Sequence, residues 1–183
     1  MELIPSTCWL TNLRSALRME DFQRVRMGVR QRAGKSCEIC SGAERPEEEI
    51  YLEVHPRFEY VEVKQVLRRL MCVCTSCLRV LDFGTSQWES YRDEALAHLR
   101  KVNSWTSKQA IEHIHTSFEQ WAIRSRLEWE VDVSILSEAG VEVIEPSPEK
   151  RAKITLNLDE IRPKDMDIST FLAQLPTIDH RKV

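Results

Sequence analysis

The chain has 183 residues, 42% of them hydrophobic, which suits one domain or one domain with an appendage. Its 26 basic and 29 acidic side chains leave a net charge of -3, which excludes a global electrostatic signature of nucleic-acid binding but not a local basic face. No apolar run approaches the roughly 20 residues that span a bilayer, and Met1–Trp9 lacks the layout of a signal peptide, so a cytoplasmic protein with no membrane partner is expected.

Residues 1–19 give no clear reading. From Met19 to Ala33, Phe22, Val25, Met27 and Val29 are interleaved with Arg24, Arg26, Arg30 and Arg32. Asp21 in the first turn suits the helix dipole, and Gly34 suits the position just past a helix end, so the pattern predicts a basic amphipathic helix. Met1–Ser36 holds seven Lys and Arg against three Asp and Glu, which reads either as a solvated face or as a nucleic-acid surface. After Cys37-Glu38-Ile39-Cys40 and an acidic loop, Ile50–His55 alternates as a strand does. Pro56 is expected to interrupt it, with Phe58–Val63 forming a second strand. Val66–Cys74 leads into Cys74-Thr75-Ser76-Cys77, a helical turn is expected over Leu78–Phe83, and Gly84 should end it.

The second half reads as helical. Ala95, Leu96, Leu99 and Val102 recur at helical spacing, and Asn103-Ser104-Trp105 breaks the pattern. Thr106-Ser107-Lys108-Gln109 has the form of a capping box, predicting a helix to about Trp129 with Ala110, Ile114, Phe118, Trp121 and Ile123 inward. Val131–Leu136 fits helix or strand, and Val141–Ile144 fits a short strand. Composition changes at Glu145-Pro146-Ser147-Pro148. Residues 1–144 are therefore read as the domain and 145–183 as a tail or strap, with apolar patches at Ile154–Ile161 and Ile168–Leu175.

Four of the six cysteines form two C-x-x-C pairs, Cys37 with Cys40 and Cys74 with Cys77. In a cytosolic chain that spacing favours a metal over disulfides. Each turn places two thiolates on one side of an ion, and four thiolates complete a tetrahedron of the kind that structural zinc prefers. A redox pair with unrelated buried cysteines is the alternative. Cys72 competes with Cys74 as a ligand, but Cys74 has the better spacing to Cys77. Cys8 reads as buried packing. A site closed by four cysteines builds the fold and leaves no position open for catalysis.

The order C-x-x-C, Leu52-Glu53-Val54-His55, aromatic strand, C-x-x-C resembles the HNH endonuclease motif, a ββα-metal element of treble-clef type. More narrowly, it is similar to a set of bacterial and phage HNH-like proteins. Thr7-Cys8-Trp9 with Asn12 and Arg14 carries the likeness, as do Glu94–Leu99 with Val102-Asn103 and Trp105, and Trp121 with Arg124-Ser125 and Glu128-Trp129. It covers most of residues 5–136. The resemblance implies an α+β fold, a zinc-bound treble-clef ββα motif packed with several helices. It also implies His55 as the general base that activates water, with a hydrolytic Mg2+ or Mn2+ held by Glu53 and Asp82. The chain departs from the family pattern at Pro56, where an acidic residue is usual, and at Leu78 and Asp82, where histidines are usual. The same His55 also reads as a strand-end histidine with a structural hydrogen bond. His98, His113 and His115 read as surface or packing on helices, and Trp105, Trp121 and Trp129 as core or as base-stacking platforms.

Three functions follow as expectations. The first is a metal-dependent HNH-type nuclease. The second is a DNA- or RNA-binding module with reduced or lost hydrolysis, in which Arg24, Arg26, Arg30, Arg32, Arg57, Arg68 and Arg69 meet phosphates. The third is a protein-interaction factor, such as a phage inhibitor of a host protein, engaging its partner through the tail.

Overall fold

The computed structural model describes residues 1–83 and 90–151. Helix α1 (Met19–Arg32) opens with Glu20 and Asp21 near its positive end. It closes as the sequence predicts. Gly34 adopts φ +61°, the Gly34 N–H bonds the Gln31 carbonyl at 3.0 Å and the Lys35 N–H bonds the Arg30 carbonyl at 2.9 Å. That is the paired Schellman arrangement, which only a residue tolerant of left-handed φ accommodates without cost.

Strands β1 (Leu52–Val61) and β2 (Lys64–Cys74) form a long antiparallel hairpin. Pro56 does not interrupt β1. Among the described residues the sheet order is β1-β2-β3, which puts β1 at an edge, where a proline's missing N–H is tolerated. The register shifts once, between Arg57 and Phe58, which absorbs the irregularity as a bulge. Glu62 and Val63 join the strands, both at positive φ (48° and 59°), as a two-residue hairpin turn requires.

Helix α2 (Thr75–Leu81) starts directly after Cys74, earlier than the expected turn at Leu78. The expected stop at Gly84 lies outside the described residues. Helices α3 (Arg92–Asn103) and α4 (Ser107–Arg124) follow. The capping box forms: Thr106 Oγ1 accepts from the Gln109 N–H at 3.3 Å and Gln109 Oε1 accepts from the Thr106 N–H at 2.9 Å. Helix α4 ends at Arg124 and not near Trp129, which is half-buried and meets Tyr60 edge-on at 4.9 Å. Ala110, Ile114, Phe118 and Trp121 are buried as expected, but Ile123 is 63% exposed. Two residues past Trp121 it lies about 200° around the helix, on the solvent side.

The ambiguous stretch after Trp129 resolves into β3 (Glu130–Asp132), parallel to β2, and α5 (Ser134–Glu138). Val141–Ile144 is not a strand. Val141 is buried, and the Ile144 N–H bonds the Ala16 carbonyl at 2.8 Å. Of the expected tail only residues 145–151 are described, and both apolar patches lie outside the described residues. The aperiodic N-terminal segment is largely buried. It runs between the two halves: the Trp121 indole N–H donates to the Ile4 carbonyl at 3.0 Å, the Ser6 N–H to Ser125 Oγ at 3.1 Å, and the Gln65 amide to the Leu10 carbonyl at 3.3 Å. The result is a mixed α+β fold in which a cysteine-bearing hairpin packs with several helices. One apolar core lies among α3, α4 and Leu3, a second under the cysteines, and a third around Leu13, Leu67 and Leu136.

Candidate metal centre

The first C-x-x-C turn is a miniature hairpin. Ser36 and Ala43 bridge antiparallel, the Cys37 N–H bonds the Gly42 carbonyl at 2.8 Å and the Ser41 N–H bonds the Cys37 carbonyl at 2.8 Å. Ser41 takes φ +61° to close it. A Cβ at Gly42 would stand 3.3 Å from Cys40 Sγ, so any larger residue presses on that sulfur. The second turn is set where β2 becomes α2, with Cys74 ending the strand and Cys77 in the helix's first turn. Thr75 secures that junction: its N–H bonds the Tyr51 carbonyl at 2.9 Å and its hydroxyl accepts from the Tyr51 N–H at 3.0 Å.

Two carboxylates lock the turns together. The Glu38 N–H bonds the Cys72 carbonyl at 2.8 Å, and its side chain accepts from the Cys72 N–H at 2.7 Å and pairs with Arg32 at 3.0 Å and with Arg69. Burial opposes its charge, but the Cys72 N–H and the arginines outweigh that and hold the carboxyl below its usual range. Glu44 takes the Arg30 guanidinium at 2.6 Å and the Leu52 N–H at 3.0 Å, and these contacts keep it ionised in the same way.

The thiol sulfurs of Cys37, Cys40, Cys74 and Cys77 all lie within 4.8 Å of one another, and Cys40 and Cys74 are 3.6 Å apart. A metal–sulfur length of about 2.3 Å in a tetrahedron requires sulfurs roughly 3.8 Å apart, so the set fits one ion. Hydrogen bonding with the Cys74 and Cys77 thiols, and with the Cys40 and Cys74 backbone, lowers the Cys37 thiol despite burial. The same hydrogen bonding with Cys37 is the main reason that Cys74 is pushed up to about 11 and Cys77 higher still. A divalent cation reverses that repulsion and favours all four thiolates. Cys72 is fully buried and stands outside the group, with burial raising its thiol. Cys8 is buried packing.

One contributor escaped the sequence reading. His98, on α3, places Nε2 3.1 Å from Cys77 Sγ. A cleft of about 430 Å³ opens beside the thiols, lined by Cys40, Cys74, His98 and Lys101 among others. No motif links a helix histidine to a cysteine 21 positions earlier, so only the packing of α2 on α3 brings them together.

His55, Glu53 and Asp82 do not form a second ligand group. Among the described residues the four cysteines are the one set of three or more His, Cys, Asp and Glu side chains close enough to share an ion. His55 is buried in β1, and burial pushes its imidazole down to about 4. Its Nε2 faces Glu2 at 3.8 Å across a cavity of about 420 Å³ that Tyr60 and Arg124 also line. Glu53 instead faces Arg26 at 3.7 Å. Asp82 caps the end of α2, and Leu78 packs on the core under the cysteines.

Each of the seven candidate phosphate-binding arginines sits against a carboxylate of the chain. Arg24 pairs with Asp21, Arg26 with Glu53, Arg30 with Glu44, Arg32 and Arg69 with Glu38, Arg57 with Glu2, and Arg68 with Glu59. Arg30 and Arg32 also donate to the Leu52 and Leu70 carbonyls, so both brace the hairpin. No helix among the described residues is long and apolar enough to cross a membrane. Comparison with protein-family models, with curated proteins and with solved structures finds no match.

Proposed function

We propose that the four cysteines hold one structural zinc ion, and that the chain is an HNH-like ββα module that binds nucleic acid with its phosphodiester hydrolysis reduced or lost. The observation that carries this reading is the ββα unit itself: an antiparallel hairpin running into a short helix, the second C-x-x-C at the junction, and His55 on the first strand. Zinc fits because a closed set of four thiolates is its commonest structural environment. Loss of chemistry follows from the surroundings of His55. A water-activating histidine also needs a metal to offset charge on the phosphate, and Glu53 is engaged by Arg26 while a leucine stands at position 78. Arg24, Arg57 and Arg68 support the nucleic-acid partner, because their side chains are more than half exposed in pairs of the kind worth little in water, which phosphates can displace.

The test incubates zinc-loaded protein with plasmid DNA and with RNA, in Mg2+ or Mn2+, beside His55→Ala. Binding that weakens with salt and with Arg57→Ala or Arg68→Ala, with no cleavage, is expected. Robust cleavage abolished by His55→Ala would return the protein to the active nucleases. A second reading, a protein-interaction factor that also uses residues 145–183, is favoured by the internal pairing of all seven arginines. It takes the lead if neither nucleic acid binds at low salt.

A further inference from the structure

Thiolates in a metal centre need hydrogen-bond donors, because four of them around a divalent ion leave a net charge of about two negative units. Backbone N–H groups supply part of that need here. The N–H groups of Cys40 and Cys74 lie toward Cys37, and that of Cys77 toward Cys74. Cys77 is served from outside both turns, by His98 Nε2 at 3.1 Å. A metal-bound thiolate can only accept a hydrogen bond, so with an ion in place the proton must sit on Nε2. Helix α3 presents His98 and, one turn on, Lys101 to the cleft beside the cysteines. The same helix is fastened to α2 by Arg79, which pairs with Glu94 at 3.1 Å and lies over the Tyr91 ring at 3.5 Å.

We infer that His98 is a positioning residue of the metal centre, donating a hydrogen bond to the metal-bound Cys77 thiolate so that α3 holds the ion in place. This rests on the reading of the four cysteines as a zinc site, and it adds a side-chain partner outside the two C-x-x-C turns. Removing such a partner typically weakens metal binding by about tenfold or more. The donor also draws electron density from the sulfur, so the charge-transfer absorption from thiolate to a substituted Co2+ ion lies at higher energy with His98 than without it.

The experiment compares wild type, His98→Leu, His98→Gln and the control His115→Leu, whose histidine is half-buried on α4 beside Glu119 and away from the cysteines. Zinc release to an excess of chelator and the absorption of the Co2+-loaded proteins are measured, with helix content followed by circular dichroism. His98→Leu should release zinc about tenfold faster and shift the charge-transfer band to lower energy. His98→Gln, which keeps an N–H donor, should fall between it and wild type, and His115→Leu should match wild type. A His98→Leu protein with the wild-type release rate overturns the inference. So does faster release with an unmoved band, which would mark a packing role only. A wild type that binds no zinc overturns the metal reading together with this one, whereas a zinc-loaded wild type indifferent to His98 overturns this one alone.

Discussion

Cys72 and Cys74 share one face of β2, two residues apart, yet only Cys74 joins the four-cysteine group. The strand ends at Cys74, and the turn into α2 brings its sulfur to the first knuckle, while the Cys72 backbone is fixed by Glu38, whose N–H it accepts and whose carboxylate takes its own N–H. Cys74→Ser should therefore lose the metal and much of the fold, since metal binding and folding are linked, while Cys72→Ser should keep about one zinc per chain by elemental analysis. The pH response of His55 has a definite sign. Its folded pKa is pushed down to about 4 by burial, below an unfolded value near 6.5, so the unfolded chain binds the extra proton first. Stability present above pH 6.5 is lost as pH falls through about 4, by on the order of 3 kcal/mol in full. The Glu2 carboxyl, raised by burial, acts in the opposite sense at acid pH, and acid also weakens thiolate–metal bonds. The difference between wild type and His55→Gln in urea titrations from pH 7 to 5 isolates the histidine, and the variant should show the shallower fall. Val63 is a β-branched residue at φ +59° on an exposed turn. Val63→Gly should raise the urea midpoint, through about 1 kcal/mol of relieved strain in the unfolding free energy. An unchanged or lower midpoint would show that the turn carries no such strain.

Among the elements, α4 was the most legible because its signal is local and repeated: a capping box at one end and a buried stripe four and three residues apart. Trp121 closes that stripe, fully enclosed, with its N–H on the Ile4 carbonyl. Trp121→Ala should cost about 3–5 kcal/mol in denaturant titration, and a loss below about 1 kcal/mol would place it at the surface. The strands were less legible. Pro56 looked like an interruption because sequence does not say whether a strand is central or at an edge, and on the edge the missing donor matters little. β3 is three residues of parallel pairing to β2, far away in the chain, and such a contact leaves no local pattern.

On the scale of the molecule, the links between the cysteine hairpin and the helical half include the N-terminal segment, the Arg79 contacts between α2 and α3, the Trp129 contact with Tyr60, and His98 at Cys77. Removing the metal should therefore loosen more than the knuckles. Hydrogen exchange after chelation should accelerate in β1, β2 and α2 first and in α3 next, with the buried stripe of α4 slowest. Exchange that accelerates equally everywhere would mean that the metal holds a single cooperative unit.

The sequence by itself marked the four-cysteine group and the buried faces of the longer helices. Two C-x-x-C turns carry their own geometry, since three covalent links between each pair of cysteines leave few ways to aim both sulfurs at one ion. Helix ends and faces are written in neighbours three and four residues apart. Only the tertiary structure decided the partners of charge. Whether an arginine meets a phosphate or a carboxylate of its own chain depends on residues up to tens of positions away, as Arg30 with Glu44 and Arg57 with Glu2 show. It decided the burial of the aperiodic N-terminal segment, which earns its place through long-range hydrogen bonds and not through a repeat. It also decided His98, because a hydrogen bond between two helices depends on how they pack, and packing is a property of surfaces in contact and not of spacing along a chain.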